Sequence, residues 1–291
     1  REKLSKKFNL PMNQISLGNG SNELLELIAH AVLTTDSDCV MSQYCFAVYP
    51  IVTRLSGANP IEVPAKNYGN DLEGMLAAIT PATRIVMLAN PNNPTGTLLS
   101  QEELTRFIER VPESVLVVID EAYTEFQQTP PDFLPMIRDG KHKNLVVCRT
   151  FSKIYGLAGL RIGFAMAAPE MVAALEKVRE PFNTSLMAQM AAIAALDDDE
   201  FLDNVRHVNA EGLAYLEKEF DAMGLEYIHS VGNCVLVKVG NGTKVFESMQ
   251  RGGVIVRPVN NYKLPEWLRI TVGTMPQNER AIAELKRALK Q

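Results

Sequence analysis

From about residue 15 to residue 164 the chain alternates stretches of helical period with short apolar runs, at 39–41, 84–89, 115–119 and 145–148. Runs of this length separated by amphipathic helices predict βαβ units, and hence a mostly parallel central sheet covered by helices on both faces. In sheets of this kind ligands gather beyond the carboxyl ends of the strands, so the residues that follow each run carry the most weight.

Residues 165–223 read as almost continuous helix rich in Ala, Met and Leu, interrupted near Pro181 and at Asp197-Asp198-Asp199. A long helix of this type often bridges two domains. After Gly224 short apolar runs return at 227–228, 234–239, 254–256 and 268–272, with helix-like stretches at 243–251 and 278–290. The expected organisation is a large domain over residues 12–188, a smaller C-terminal α/β domain over 189–291, and residues 1–11 as the remnant of an N-terminal helix. The amphipathic pattern is already under way at Arg1, and the expectation is that upstream sequence has been lost.

Composition narrows the class of partner. The 34 acidic and 29 basic residues give a net charge of −5 and are spread without blocks of one sign, which argues against nucleic acid or a membrane surface and favours a small-molecule ligand. Four cysteines, Cys39, Cys45, Cys148 and Cys234, show no paired C-x-x-C spacing and no disulfide density. A reducing cytoplasm fits them, and no metal is expected. No apolar run reaches the roughly 20 residues that span a bilayer, and the first residues do not form a signal peptide.

Four segments carry candidate chemistry. Gly18-Asn19-Gly20-Ser21-Asn22-Glu23 precedes an amphipathic helix, and a helix start with exposed N–H groups suits a phosphate as well as an ordinary cap. Asn90-Pro91-Asn92-Asn93-Pro94-Thr95-Gly96 follows the run at 84–89. Its prolines and glycine fix a loop in which an asparagine side chain can be held rigidly above a strand end. Asp120-Glu121-Ala122-Tyr123 follows the run at 115–119: the carboxylate can pair with a protonated ring nitrogen, or it can simply cap a helix. Arg149-Thr150-Phe151-Ser152-Lys153 follows the run at 145–148, with Arg161 beyond. Lys153 stands among hydroxyls and glycines, where an amine with a lowered pKa can attack an aldehyde. Thr150, Ser152 and Arg161 offer two hydroxyls and a guanidinium to a phosphate dianion.

Taken in order, Gly20-Ser21-Asn22-Glu23, Asn93-Pro94-Thr95-Gly96, Asp120-Glu121-Ala122-Tyr123 and Ser152-Lys153 with Arg161 resemble the class I/II, fold-type I pyridoxal 5'-phosphate transferases. Within them the segments at 90–96 and 150–163 are most similar to histidinol-phosphate aminotransferases. The resemblance runs through nearly the whole chain. It implies that Lys153 anchors pyridoxal 5'-phosphate covalently and later carries the substrate α-proton, and that Asp120 keeps the pyridine nitrogen protonated. Asn93 and Tyr123 would hydrogen-bond the phenolic oxygen, and Ser21, Asn22, Thr150, Ser152 and Arg161 would hold the phosphate. Tyr44 aligns with the aromatic face against the ring, whereas Phe46 and Tyr49 read as core residues. In Trp267-Leu268-Arg269-Ile270, Arg269 would grip the substrate α-carboxylate together with Asn93; Arg257 also resembles the family and receives no role.

The resemblance further implies a cytoplasmic homodimer of histidine biosynthesis that moves an amino group between histidinol phosphate and 2-oxoglutarate, giving imidazole-acetol phosphate and glutamate. Three alternatives remain open: an aromatic amino-acid aminotransferase, a lyase like threonine-phosphate decarboxylase, and a catalytically silent relative that only binds the cofactor. The family's N-terminal segment, with its substrate-facing asparagine-rich motif and a tyrosine that reaches the partner's site, is expected to be missing from this sequence.

Overall fold

In the computed structural model, which describes residues 1–290, the apolar runs become a seven-stranded sheet because each can bury both of its faces. Its strands are β1 (Ile15–Gly18), β2 (Asp38–Ser42), β3 (Asn59–Val63), β4 (Thr83–Ala89), β5 (Leu116–Asp120), β6 (Leu145–Thr150) and β7 (Gly163–Ala167). They lie in the order β1-β7-β6-β5-β4-β2-β3. From β3 through β6 every neighbouring pair is parallel, whereas β7 is antiparallel to both β6 and β1. The reversal has a local cause. Between β6 and β7 the chain forms only one turn of 3-10 helix, Ala158–Leu160, instead of a crossover helix, so it folds back beside β6 with Thr150 opposite Gly163.

Alternation along each strand divides two cores. On one face Val86, Leu88, Val117, Ile119 and Val147 meet side chains from α1 (Glu2–Phe8), α4 (Leu72–Ala77), α5 (Gln101–Arg110), α6 (Leu134–Arg138) and α8 (Leu186–Ala195). On the other, Ile85, Met87, Val118 and Val146 meet α2 (Ser21–Val32), α3 (Val48–Leu55) and α7 (Pro169–Val178). This is the mostly parallel sheet covered by helices that the sequence pattern predicts.

The smaller sheet is antiparallel throughout, in the order β10-β11-β9-β8, from β8 (Tyr227–Ile228), β9 (Cys234–Lys238), β10 (Arg257–Val259) and β11 (Leu264–Thr271). One face packs on α9 (Asp199–Ala222), α10 (Gly242–Arg251) and α11 (Met275–Leu289) through Leu216, Phe220, Met249 and Leu285. The opposite face, with Trp267, Val259 and Tyr262, packs against Tyr44, Ala47 and Tyr68 of the large sheet's loops.

Two details differ from the sequence expectation. Residues 165–167, read as helix, belong to β7, because an Ala- and Met-rich stretch has no period long enough to separate strand from helix. Residues 254–256, read as a strand, form the return from α10, and the pairing falls on Arg257–Val259. The large sheet's core extends into α9 as far as Leu202, and the small sheet's core begins at Leu216.

Candidate active site

Beyond the carboxyl ends of β4, β5 and β6 lies a cavity of about 190 Å³ whose lining includes Asp120, Lys153, Asn93 and Tyr123. Each comes from the residues directly after, or at the end of, a strand. Asp120 closes β5 and is 3% exposed. The Ala122 N–H donates to its Oδ1 at 3.1 Å and the Tyr49 hydroxyl donates to its Oδ2 at 3.1 Å. Burial pushes its carboxyl up to about 6, while these two donors and the Lys153 ammonium pull the other way.

Lys153 is half-buried, and its Nζ stands 5.2 Å from the centre of the Tyr123 ring. Desolvation holds the amine below its ordinary range, helped by the Arg269 and Arg161 guanidinium charges and opposed by Asp120. A lowered lysine is a better nucleophile at neutral pH and a better proton carrier. Burial also pushes the Tyr123 phenol up, so it stays protonated and can donate.

The loop after β4 explains its own amides. Asn90 Nδ2 donates to the Leu99 carbonyl at 3.0 Å while its Oδ1 accepts from the Leu99 N–H at 2.8 Å, and Asn92 Nδ2 donates to the Tyr44 carbonyl at 2.9 Å. These two brace the loop; Asn93 is the one that lines the cavity. Its Oδ1 accepts from Arg269 Nη1 at 2.7 Å, which brings the small sheet's arginine to the cavity edge. Arg269 Nε is buried without a partner. Arg257, opposite Arg269 in the sheet register, is exposed.

The phosphate candidates converge at the start of α2. Ser21, Asn22, Thr150, Ser152 and Arg161 all line the same cavity, and no side chain caps the first turn of α2, which leaves its N–H groups and positive dipole end to an anion. Gly20 lies at φ 80°, and a Cβ there would stand 2.2 Å from Arg161 Nη2. Only glycine lets the guanidinium rest against the helix start. Arg161 itself adopts φ 57°, a left-handed backbone that a non-glycine residue holds at some cost. Its side chain is fastened to the Ala158 carbonyl at 2.9 Å and reaches Ser152 Oγ at 3.3 Å.

The aromatic candidates occupy different places. Tyr44 does not line the cavity; its ring stacks on Tyr68 with centroids 6.0 Å apart, at the contact with the small sheet. Phe46 lines the cavity instead. It lies two residues further along the turn into α3, where the chain direction has changed. Tyr49, read as core, is fully buried and also holds Asp120.

Glu121 and Arg149 form a buried ion pair at 2.7 Å between the ends of β5 and β6. A larger cleft, of about 750 Å³, lies between residues 66–73 and α5. Asp120 and Lys153 are not part of it, and of its cations Lys66, Arg106 and Arg110, the two arginines are paired with Glu102 and Glu73. Among the described residues no cluster of three or more His, Cys, Asp or Glu could hold a metal ion.

The donor set fits pyridoxal 5'-phosphate. A buried acid, a desolvated amine, an aromatic face and an uncapped helix start with a guanidinium beside it match the group's ring nitrogen, aldehyde, ring plane and phosphate. Fold and site together define a class: the aminotransferase class I and II family model matches residues 1–285, and the chain belongs to that family. Within it, the chain is 48% identical to histidinol-phosphate aminotransferase 2 of Ralstonia nicotianae, over 99% of this chain and 78% of that protein. It is 47% identical to histidinol-phosphate aminotransferase of Akkermansia muciniphila, over 99% of this chain and 79% of that protein. The crystal structure of histidinol-phosphate aminotransferase from Sinorhizobium meliloti, in complex with pyridoxal-5'-phosphate, superposes with a TM-score of 0.90 at 29% identity, covering 99% of this chain and 80% of that one.

Proposed function

We propose that this protein is a pyridoxal 5'-phosphate-dependent histidinol-phosphate aminotransferase, exchanging an amino group between histidinol phosphate and 2-oxoglutarate. The observation that carries the reading is the convergence of Lys153 and Asp120, from separate strand ends, on one small cavity that also holds an anion cradle. The relatives named above support the choice of substrate.

When bound, pyridoxal 5'-phosphate supplies a protonated ring that takes up the electron pair left by loss of the substrate α-proton. Lys153 would hold the cofactor covalently, and its Nζ, once free, would accept the substrate α-proton. Asp120 keeps a proton on the ring nitrogen. Tyr123 and Asn93 donate to the phenolic oxygen, while Ser21, Asn22, Thr150, Ser152 and Arg161 bind the phosphate. Phe46, which lines the cavity where Tyr44 does not, would offer the aromatic face to the ring. Arg269 would take the α-carboxylate of glutamate or 2-oxoglutarate through its planar fork, and the bond from Arg269 to Asn93, at the edge of the cavity, supports that role.

The protein works as a homodimer in the cytoplasm on this reading. Phe182, Leu186 and Met187 are 96%, 74% and 77% exposed, an apolar group that a second subunit would cover. The four cysteines are unpaired and buried, as suits a reducing compartment. No helix among the described residues is long and apolar enough to cross a membrane.

The test is a donor panel of histidinol phosphate, phenylalanine, tyrosine and threonine phosphate with 2-oxoglutarate as acceptor, followed by glutamate formation and carbon dioxide release. Glutamate from histidinol phosphate well above the aromatic donors is expected. Rapid carbon dioxide release without glutamate would overturn the reading, as would a Lys153→Ala protein that still yields borohydride-fixed cofactor.

A further inference from the structure

The Asp120 carboxylate is held by two donors, one of which is a side chain that the chemistry above does not use. Tyr49 lies in the first turn of α3, has no solvent exposure, and gives its hydroxyl to Asp120 Oδ2 at 3.1 Å. Phenylalanine would fill the same apolar space without a hydroxyl to desolvate. A tyrosine there is favourable only because its O–H meets an acceptor.

We infer that Tyr49 is a positioning residue for Asp120: its hydroxyl fixes the carboxyl's Oδ2 so that the acid presents one set edge to the cofactor's ring nitrogen. The inference rests on the reading of Asp120 given above. The local geometry suits the task. The Ala122 N–H takes Oδ1 at 3.1 Å, so the carboxyl is pinned from both sides and cannot rotate without losing a donor. Tyr49 is itself fixed, since the Phe46 ring meets it edge-on with centroids 5.9 Å apart and Thr53 Oγ1 donates to its carbonyl at 2.8 Å. One turn of chain thereby supplies both the aromatic wall of the cavity and the support of its acid.

The charge balance agrees. The titratable groups that face Asp120 are Tyr49 from α3, Cys148 from β6, Lys153 from the loop beyond, and Glu121 and Tyr123 from its own turn. Of these, Tyr49 and Lys153 favour the ionised acid. Loss of the tyrosine hydroxyl therefore favours the neutral acid, which is a poor counter-ion for a protonated ring.

The experiment compares wild type, Tyr49→Phe and Tyr49→3,5-difluorotyrosine, each loaded with ¹⁵N-labelled pyridoxal 5'-phosphate. The readouts are the ring-nitrogen resonance against pH and the kcat and KM of the glutamate half-reaction. Tyr49→Phe should keep borohydride-fixed cofactor and its KM, lose about tenfold in kcat, as expected for one hydrogen bond to a charged group, and show a ring nitrogen that loses its proton at lower pH. The fluorinated side chain keeps the shape with a more acidic hydroxyl, and should move the nitrogen signal in the opposite direction. If Tyr49→Phe does not fold, that arm decides alone. A wild type that takes up no reducible cofactor removes the functional reading and this inference together. A loaded wild type whose nitrogen signal and kcat are matched by both variants overturns the inference by itself.

Discussion

Asp120 shows what a buried acid costs the chain that carries it. Its folded-state pKa of about 6 lies above the unfolded value of 3.8, so the folded protein holds the proton more tightly. Below about pH 4 both states are protonated and the carboxyl has no effect. As pH rises from 4 through 6 stability is lost, and above 6 the full penalty remains, on the order of 3 kcal/mol. Cofactor-free Asp120→Asn should therefore resist urea better than cofactor-free wild type at pH 8, by roughly 1–3 kcal/mol, and lose that advantage at pH 4; equal midpoints at both pH values would show that the acid is not under strain. Residues of this kind were legible in the sequence because Asp120, Lys153 and Asn93 each stand immediately beyond an apolar run. Phe46 and Tyr49 were not. Whether an aromatic faces a cavity, a core or a neighbouring sheet depends on the phase of the turn into α3, and residues 44, 46 and 49 are chemically alike.

At the scale of elements, the tightest meeting is between β7 and the start of α2. A Cβ on Gly163 would lie 2.5 Å from the Ser21 nitrogen and 2.9 Å from the Arg149 carbonyl oxygen, both of them backbone atoms that cannot swing aside. Gly163→Ala should push α2 away from Arg161 and weaken cofactor retention about tenfold or more, since an anion site depends on converging donors; an unchanged dissociation constant by fluorescence titration would show that the helix start does not hold the phosphate. Strand order and this approach could not be read from period alone. The alternation that marks buried strands says nothing about direction, and the reversal of β7 follows from a connection that makes only a 3-10 turn. The breaks before α8 and α9 were legible at Pro181 and at Asp197-Asp198-Asp199, whereas the passage from β7 to α7 was not, because uniform composition across residues 165–178 hides it.

For the whole molecule, the exposed apolar group at Phe182, Leu186 and Met187 is the feature that a lone subunit leaves unexplained. Leu186→Asp combined with Met187→Asp should convert a dimer of this chain to monomer in sedimentation velocity while leaving the circular dichroism spectrum unchanged; wild type that sediments as a monomer at micromolar concentration would remove the homodimer from the reading. The two-sheet layout was visible in the sequence as a change of pattern near Gly224, but the place where the sheets touch was not, because Trp267, Tyr68 and Tyr44 are far apart along the chain. Their contact brings Arg269 within reach of Asn93. Before any acid arrives, then, the guanidinium already has a neutral amide oxygen as its companion, and capture of a ligand is an exchange instead of a simple addition. An ester, amide or alcohol offers only what the asparagine already gives. A carboxylate or a phosphate brings a full negative charge, so on the proposed reading of Arg269 its pairing with Asn93 disfavours uncharged analogues.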